Sequence, residues 1–200
     1  NPFDYQTSTV VLKGTSTLQT IGTRSVSPTT ETFYNLSTSA SSNSTTGGSI
    51  SVFNNFLIAG SSSLSVGAST HTINVGGNWT TNGSFTHGSG VVNFNPTTAG
   101  PYTITPNSSS FSTLNLNGIS STVFNLAGNT SAASNVNITT GTLNLNGYTF
   151  NMGDNSGTDN LTITGTFNIN AAAFLKLGTG ATVNVNSGGV FKMVGTSTTT

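Results

Sequence analysis

The chain has 200 residues, no net charge and no cysteine, and only 4% of its residues are charged, where a soluble domain carries about 25%. Its four basic residues, Lys13, Arg24, Lys176 and Lys192, exclude a nucleic-acid footprint or an anionic-membrane patch, and the lack of cysteine excludes disulfides and thiol chemistry. No apolar run approaches the ~18 residues of a spanning helix, so membrane insertion is not expected.

The acids Asp4, Glu31, Asp154 and Asp159 balance the bases. A surface with so little charge keeps copies of a protein apart poorly, which suits an assembled component better than a free cytosolic enzyme. The 29 Ser, 38 Thr and 26 Asn suggest disorder at first sight. Disordered chains lack regularly spaced apolar residues, whereas 33% of this chain is hydrophobic and falls in ordered pairs. The sequence opens without a basic n-region and apolar h-region, so a secreted chain is expected to have its signal removed or lying outside these residues.

In chain order, the apolar i, i+2 pairs are Val10/Leu12, Leu64/Val66, Ile73/Val75, Val92/Phe94, Leu114/Leu116, Phe124/Leu126, Leu143/Leu145 and Leu161/Ile163. Each alternates with Ser, Thr or Asn, the period-two pattern of a strand with one buried face. Gly67, Gly76–Gly77, Gly118, Gly147, Gly178 and Ser187–Gly189 supply turns. From residue 167 the spacing becomes strict. Phe167/Ile169, Leu175/Leu177, Val183/Val185 and Phe191/Met193 start eight residues apart and are the predicted core rungs. No window has helical periodicity, and Ala171–Ala173 is too short to nucleate a helix.

An even strand–turn unit predicts an all-β fold, a parallel β-helix (β-solenoid), with a β-sandwich or pair of sandwiches as the alternative. Three units per coil give roughly 24 residues per coil, about eight coils and a rod of roughly 40 Å at the usual strand spacing. A looser repeat pairs Phe3 with Phe85, Val10 with Val92, Leu12 with Phe94 and Phe33 with Phe111. It predicts one elongated solenoid over 1–200 with two divergent modules, about 1–84 and 85–200. Apolar-Asn-apolar-Asn recurs at Asn115/Asn117, Asn144/Asn146, Asn168/Asn170 and Asn184/Asn186. The first Asn of each pair is expected to face outward and stack into amide ladders. The second is expected at the turn, where Asn tolerates a left-handed backbone.

The stretch Gly76–Asn95, "GGNWTTNGSFTHGSGVVNFN", with Thr32–Leu36 and Gly141–Phe150, resembles a repeat of large bacterial secreted and cell-surface proteins. The resemblance implies an extracellular β-solenoid with adhesive or structural use. Members often end in a sorting or anchoring domain, and no such segment is recognised in these residues.

Catalytic chemistry finds little support. His71 and His87 are the only histidines, no G-x-S-x-G elbow is present, and the acids are scattered. No catalytic or cofactor-binding residue is predicted. Asp154, Asn155, Asp159 and Asn160 offer hard oxygens suited to Ca²⁺, but without EF-hand spacing a plain polar loop is the stronger reading. The eight N-x-S/T sequons match what so much Asn, Ser and Thr gives by chance. Trp79, Tyr102 and Tyr148 read as core or coil-edge packing ahead of sugar stacking. Thr103/Thr105 and Thr162/Thr164 do not recur on the eight-residue beat, which counts against an ice-binding face.

The sequence therefore predicts a non-catalytic extracellular structural protein, a subunit or segment of a bacterial surface fibre or sheath. Its expected partners are further copies of itself, joined through the solenoid ends or an N-terminal strand carrying Asn1, Pro2, Phe3 and Tyr5. An adhesin module for glycan or another surface is the alternative, and a polysaccharide-active β-helix enzyme is a distant third.

Overall fold

A computed structural model describes residues 7–14, 18–21, 30–67, 70–154, 156, 158–170 and 172–194. Among them there are 25 strands and no helix. The strands wind into a parallel β-solenoid of about eight turns with three faces. Face one is a nine-stranded sheet from Thr9–Leu12 to Val190–Met193, and face two an eight-stranded sheet from Thr30–Phe33 to Thr182–Val185. Face three holds two four-stranded sheets, Gln19–Ile21 to Ser84–Thr86 and then Ser110–Phe111 to Phe174–Leu177. Hydrogen-bonded neighbours are parallel and three strands apart in the chain, so the sandwich alternative is excluded.

The period-two pattern sets the geometry. Each apolar pair puts both side chains inward, and strand pairing stacks like on like. Ile50, Ile73, Val92, Leu114, Val136 and Leu161 form one inward column on face two, and all are at most 1% exposed. The strict beat at the end is a coil of three equal sides: Phe191 lies over Phe167, 24 residues earlier. Elsewhere the coil length varies, and the corners absorb the difference. Phe124 pairs with Leu143 and Val10 with Leu36.

The sheets of faces one and two run unbroken through the proposed module boundary, whereas face three breaks between Ser84–Thr86 and Ser110–Phe111. The repeated segments, however, do not occupy equivalent faces. Val10 lies on face one and its counterpart Val92 on face two, while Phe33 lies on face two and Phe111 on face three. The matched strands are eleven apart in chain order, the first with the twelfth and the third with the fourteenth. Eleven is not a multiple of three, so the repeat is a screw that advances along the axis and also turns onto a new face. Phe3 lies outside the described residues.

The interior changes character where the two sheets of face three meet. There Trp79 pairs with Ile104 rather than with Tyr102, so the inward columns of face one step by one rung. Trp79 is fully buried and fills this step. Its ring lies 4.7 Å from Phe56, 5.0 Å from Phe85 and 5.5 Å from Phe111, each edge-on. Its Nε1–H donates to Thr81 Oγ1 at 2.8 Å. Before the step the interior also holds hydroxyls. Thr38 and Ser62 share a 2.5 Å hydrogen bond, Thr38 Oγ1 accepts from the Ala59 N–H, and Ser62 donates to the Ala59 carbonyl.

Trp79→Ala should destabilise the fold by about 3–5 kcal/mol, the range for a large buried aromatic. Thr81→Val, which leaves the buried indole N–H unpaired, should cost about 1–3 kcal/mol. Urea unfolding of both variants checks the order, and equal midpoints for Trp79→Ala and the wild type would refute the seam-filling role.

Candidate functional site

The last coil consists of Phe174–Leu177, Thr182–Val185 and Val190–Met193. Its inward residues are placed by register. Leu175 and Leu177 pair with Phe150 and Met152, Val183 and Val185 with Leu161 and Ile163, and Phe191 and Met193 with Phe167 and Ile169. The eight predicted rungs therefore share one inward direction but not one environment. Phe167 and Ile169 are buried, and Leu175, Val183 and Phe191 are half-buried against the core. Leu177, Val185 and Met193 are 45%, 49% and 72% exposed. The reason is physical: a rung is sealed only by the coil stacked on it, and among the described residues none lies over this one. Phe191 stacks flat on Phe167, with ring centroids 5.6 Å apart and planes at 11°. The same three strands end their sheets, so one edge of each lacks a strand partner among the described residues.

The other predicted assembly residues, Asn1, Pro2, Phe3 and Tyr5, lie outside the described residues. At that end of the stack Val11 and Leu18 are 42% and 58% exposed. Lys176 and Lys192 fall on faces three and one, on different sides as their spacing implies.

Amide ladders run along two faces. On face two Asn93 donates to Asn74, Asn115 to Asn93 and Asn137 to Asn115, at 2.9, 2.7 and 2.7 Å. On face one Asn144 donates to Asn125 and Asn168 to Asn144, at 3.0 and 2.9 Å. Asn184 reaches Asn160 at 3.3 Å. The second asparagine of each pair behaves less uniformly than expected. Only Asn146 of the four has a left-handed backbone, φ 51°. Asn170 and Asn146 bond each other across the corner, Asn186 donates to Thr164 Oγ1, and Asn117 Oδ1 accepts from Thr140. Asn117 ends the strand Thr113–Asn117, Asn146 sits in a turn, and Asn170 and Asn186 lie just past their strands, where their carbonyls accept from the Ala173 and Gly189 N–H groups. The second asparagine therefore does stand at the corner, while its side chain bonds the neighbouring coil.

The chemical candidates stay apart. Among the described residues no three of His, Cys, Asp and Glu come together as a metal-binding group. His71 Nδ1 lies 3.2 Å from Thr46 Oγ1, and His87 Nδ1 donates to the Gly88 carbonyl at 2.6 Å. In the acidic loop Asn155 lies outside the described residues. Asp154 is exposed, Asn160 Oδ1 accepts from Thr182, and Asp159 is buried with its Oδ2 unpaired. That oxygen lies so near Gly153 that a Cβ there would stand 2.9 Å away. Trp79 is core, Tyr102 packs on the core with its hydroxyl 2.7 Å from Thr98 Oγ1, and Tyr148 is 37% exposed. No family model, no curated protein and no solved structure matches this chain.

Two measurements check this geometry. Asn115→Ala removes two ladder bonds and should cost about 1–3 kcal/mol in urea unfolding; an unchanged midpoint would show the ladder to be energetically idle. The Ser156 hydroxyl and N–H hold the Asp154 carboxyl below its ordinary 3.8. A depressed folded value means the contribution to stability is present above 3.8 and is lost as pH falls through the folded value. An NMR titration should place Asp154 below 3.8, with Ser156→Ala moving it up. A midpoint unmoved by that substitution would refute the bond.

Proposed function

We propose that this chain is a non-catalytic structural segment or subunit of an extracellular bacterial surface fibre or sheath, lengthened by end-to-end stacking of solenoid coils. The observation that carries the reading is the coil of Phe174–Leu177, Thr182–Val185 and Val190–Met193, where inward Leu177, Val185 and Met193 are exposed and each strand lacks a partner on one edge among the described residues. Each uncovered rung is apolar area that water penalises at about 25 cal/mol per Å², and each open edge is a template for a parallel strand. The chain's zero net charge leaves no general repulsion to oppose contact between copies. The Gly76–Asn95 resemblance to repeats of bacterial surface proteins supports the extracellular setting. The partner in this reading is another copy of the chain.

Light scattering across a concentration series should show mass rising with concentration, and negative-stain images should show rods lengthening along one axis. Val185→Lys combined with Met193→Glu puts charge onto the exposed end while leaving the buried coils untouched. The double variant should stay at monomer mass at concentrations where the wild type has more than doubled. Discrete wild-type monomers at high concentration would overturn the reading.

A further inference from the structure

Face two carries a second feature that end-to-end stacking does not use. Its outward side chains form two parallel rows. One is the ladder of Ser51, Asn74, Asn93, Asn115 and Asn137, bonded step by step. The other follows the corner through Phe53, Gly76, Asn95 and Asn117, and Thr139 lines the cleft beside Asn117, where the pairing shifts by one residue. Between the rows lies a cleft of about 380 Å³ at Asn93–Thr139, and Asn95 joins it to a second of about 120 Å³ that reaches Phe53. Gly76 lines the second cleft, and no side chain fits there: a Cβ would stand 2.2 Å from the Phe53 carbonyl oxygen. Phe53 borders this end with 55% of its surface exposed. The path crosses five strands, roughly 19 Å at the usual spacing.

The chemistry of the lining selects a ligand class. A carboxamide has two N–H donors and two acceptor lone pairs. Within the ladder each of Asn93 and Asn115 spends one donor on the coil below and one lone pair on the coil above. One donor and one acceptor per step therefore remain, repeating about every 4.8 Å along the axis. That array matches a hydroxyl-rich polymer, because each hydroxyl also gives and accepts, and the rise of an extended pyranose chain is close to one strand spacing. No charged side chain lines either cleft, so a polyanion gains nothing from the site. The backbone of the crossed strands is spent on sheet pairing, so a peptide cannot add as a strand. An aromatic ring exposed at one end is the usual seat for the C–H face of a sugar.

We propose that face two binds a neutral polysaccharide lying along the solenoid axis, with the Asn93–Asn115–Asn137 ladder as its floor, Asn95 and Asn117 as its wall and Phe53 as its stacking platform. The site belongs to a single copy of the chain and is present whether or not copies stack.

The test is electrophoresis of the whole chain through native gels containing hydroxyethylcellulose, galactomannan or polygalacturonate. At least one of the two neutral polymers should retard the protein, equally at low and high salt, and polygalacturonate should not. Phe53→Ala should weaken the retardation about tenfold, and Asn117→Arg, which fills the cleft, should abolish it. Circular dichroism of both variants should match the wild type, since both side chains are on the surface. If either variant is misfolded, Asn95→Ala replaces it. Three results would overturn the proposal: no retardation by either neutral polymer, retardation by polygalacturonate alone, or retardation the variants leave unchanged. Loss of self-association in these variants without any retardation would also overturn it and make face two a contact between copies.

Discussion

Everything in this molecule depends on parallel, in-register stacking of one coil on the next. In a globular core a side chain is sealed by neighbours from many directions. Here the seal has three parts: the opposite faces, the coil below and the coil above. The consequence is visible in one column. Leu143 and Phe167 have coils on both sides and are fully buried, while Phe191, one step on, is only half-buried. The chemistry of the residue has not changed; the number of coils against it has. Stability in such a stack is therefore largely a sum of nearest-neighbour terms, and an end coil differs from an interior one by a whole interface.

The same constraint explains where sequence variation goes. Strands cannot slip by one residue, because a slip would turn every apolar side chain outward. Corners can lengthen freely. The loop between Val91–Phe94 and Pro101–Thr105 is six residues long, and the corner between Val136–Thr140 and Thr142–Asn144 is a single glycine. Where the register steps among the inward rungs, at Trp79, it steps by a full rung of two residues and keeps the inward face inward, and the one-residue shift after Leu116 falls at the strand's end, beyond its inward pair. The step leaves a gap that smaller side chains would not fill, and the largest residue available occupies it, against Phe56, Phe85 and Phe111.

Much of this was legible in the sequence, because apolar pairs at i, i+2 on an eight-residue beat leave few alternatives. The three-sided coil, the outward asparagines and the ladders all follow from that spacing. The hydroxyl-lined interior of the early coils was not legible. Ser44 and Thr46 are buried, yet a Ser-x-Thr strand reads the same whichever face points inward, since both faces are polar. The turning of the repeat onto a new face was also hidden, because pairwise matching of segments counts residues and not sides. The exposure of the last inward rungs was hidden for a related reason. A pattern announces which way a side chain points, whereas burial depends on what is stacked above it, which no local pattern contains. The cleft on face two falls in the same class. Its asparagines were visible as outward positions, but Gly76 and Phe53 come together only once 23 residues of coil have returned the chain to the same row one coil on.

The two surfaces differ in what drives them. The flank offers amides, whose bonds are directional and exchange readily with water, so contact there is selective and individually weak. The end offers apolar rungs and unpaired strand edges, which are less selective and stronger in sum. The face-one ladder shows how the end is biased. It climbs from Asn125 through Asn144 to Asn168, and the next position in register is Lys192. Asn168 Oδ1 is left buried without a hydrogen-bond partner. The amide ladder therefore stops one strand before the sheet does, and a strand added beyond Lys192 gains nothing from amide stacking on that face. With only four acidic residues in the chain, ion pairing offers little to replace it. A coil seated on this end would be held by the inward rungs and the backbone, the two interactions that already hold every other coil in place.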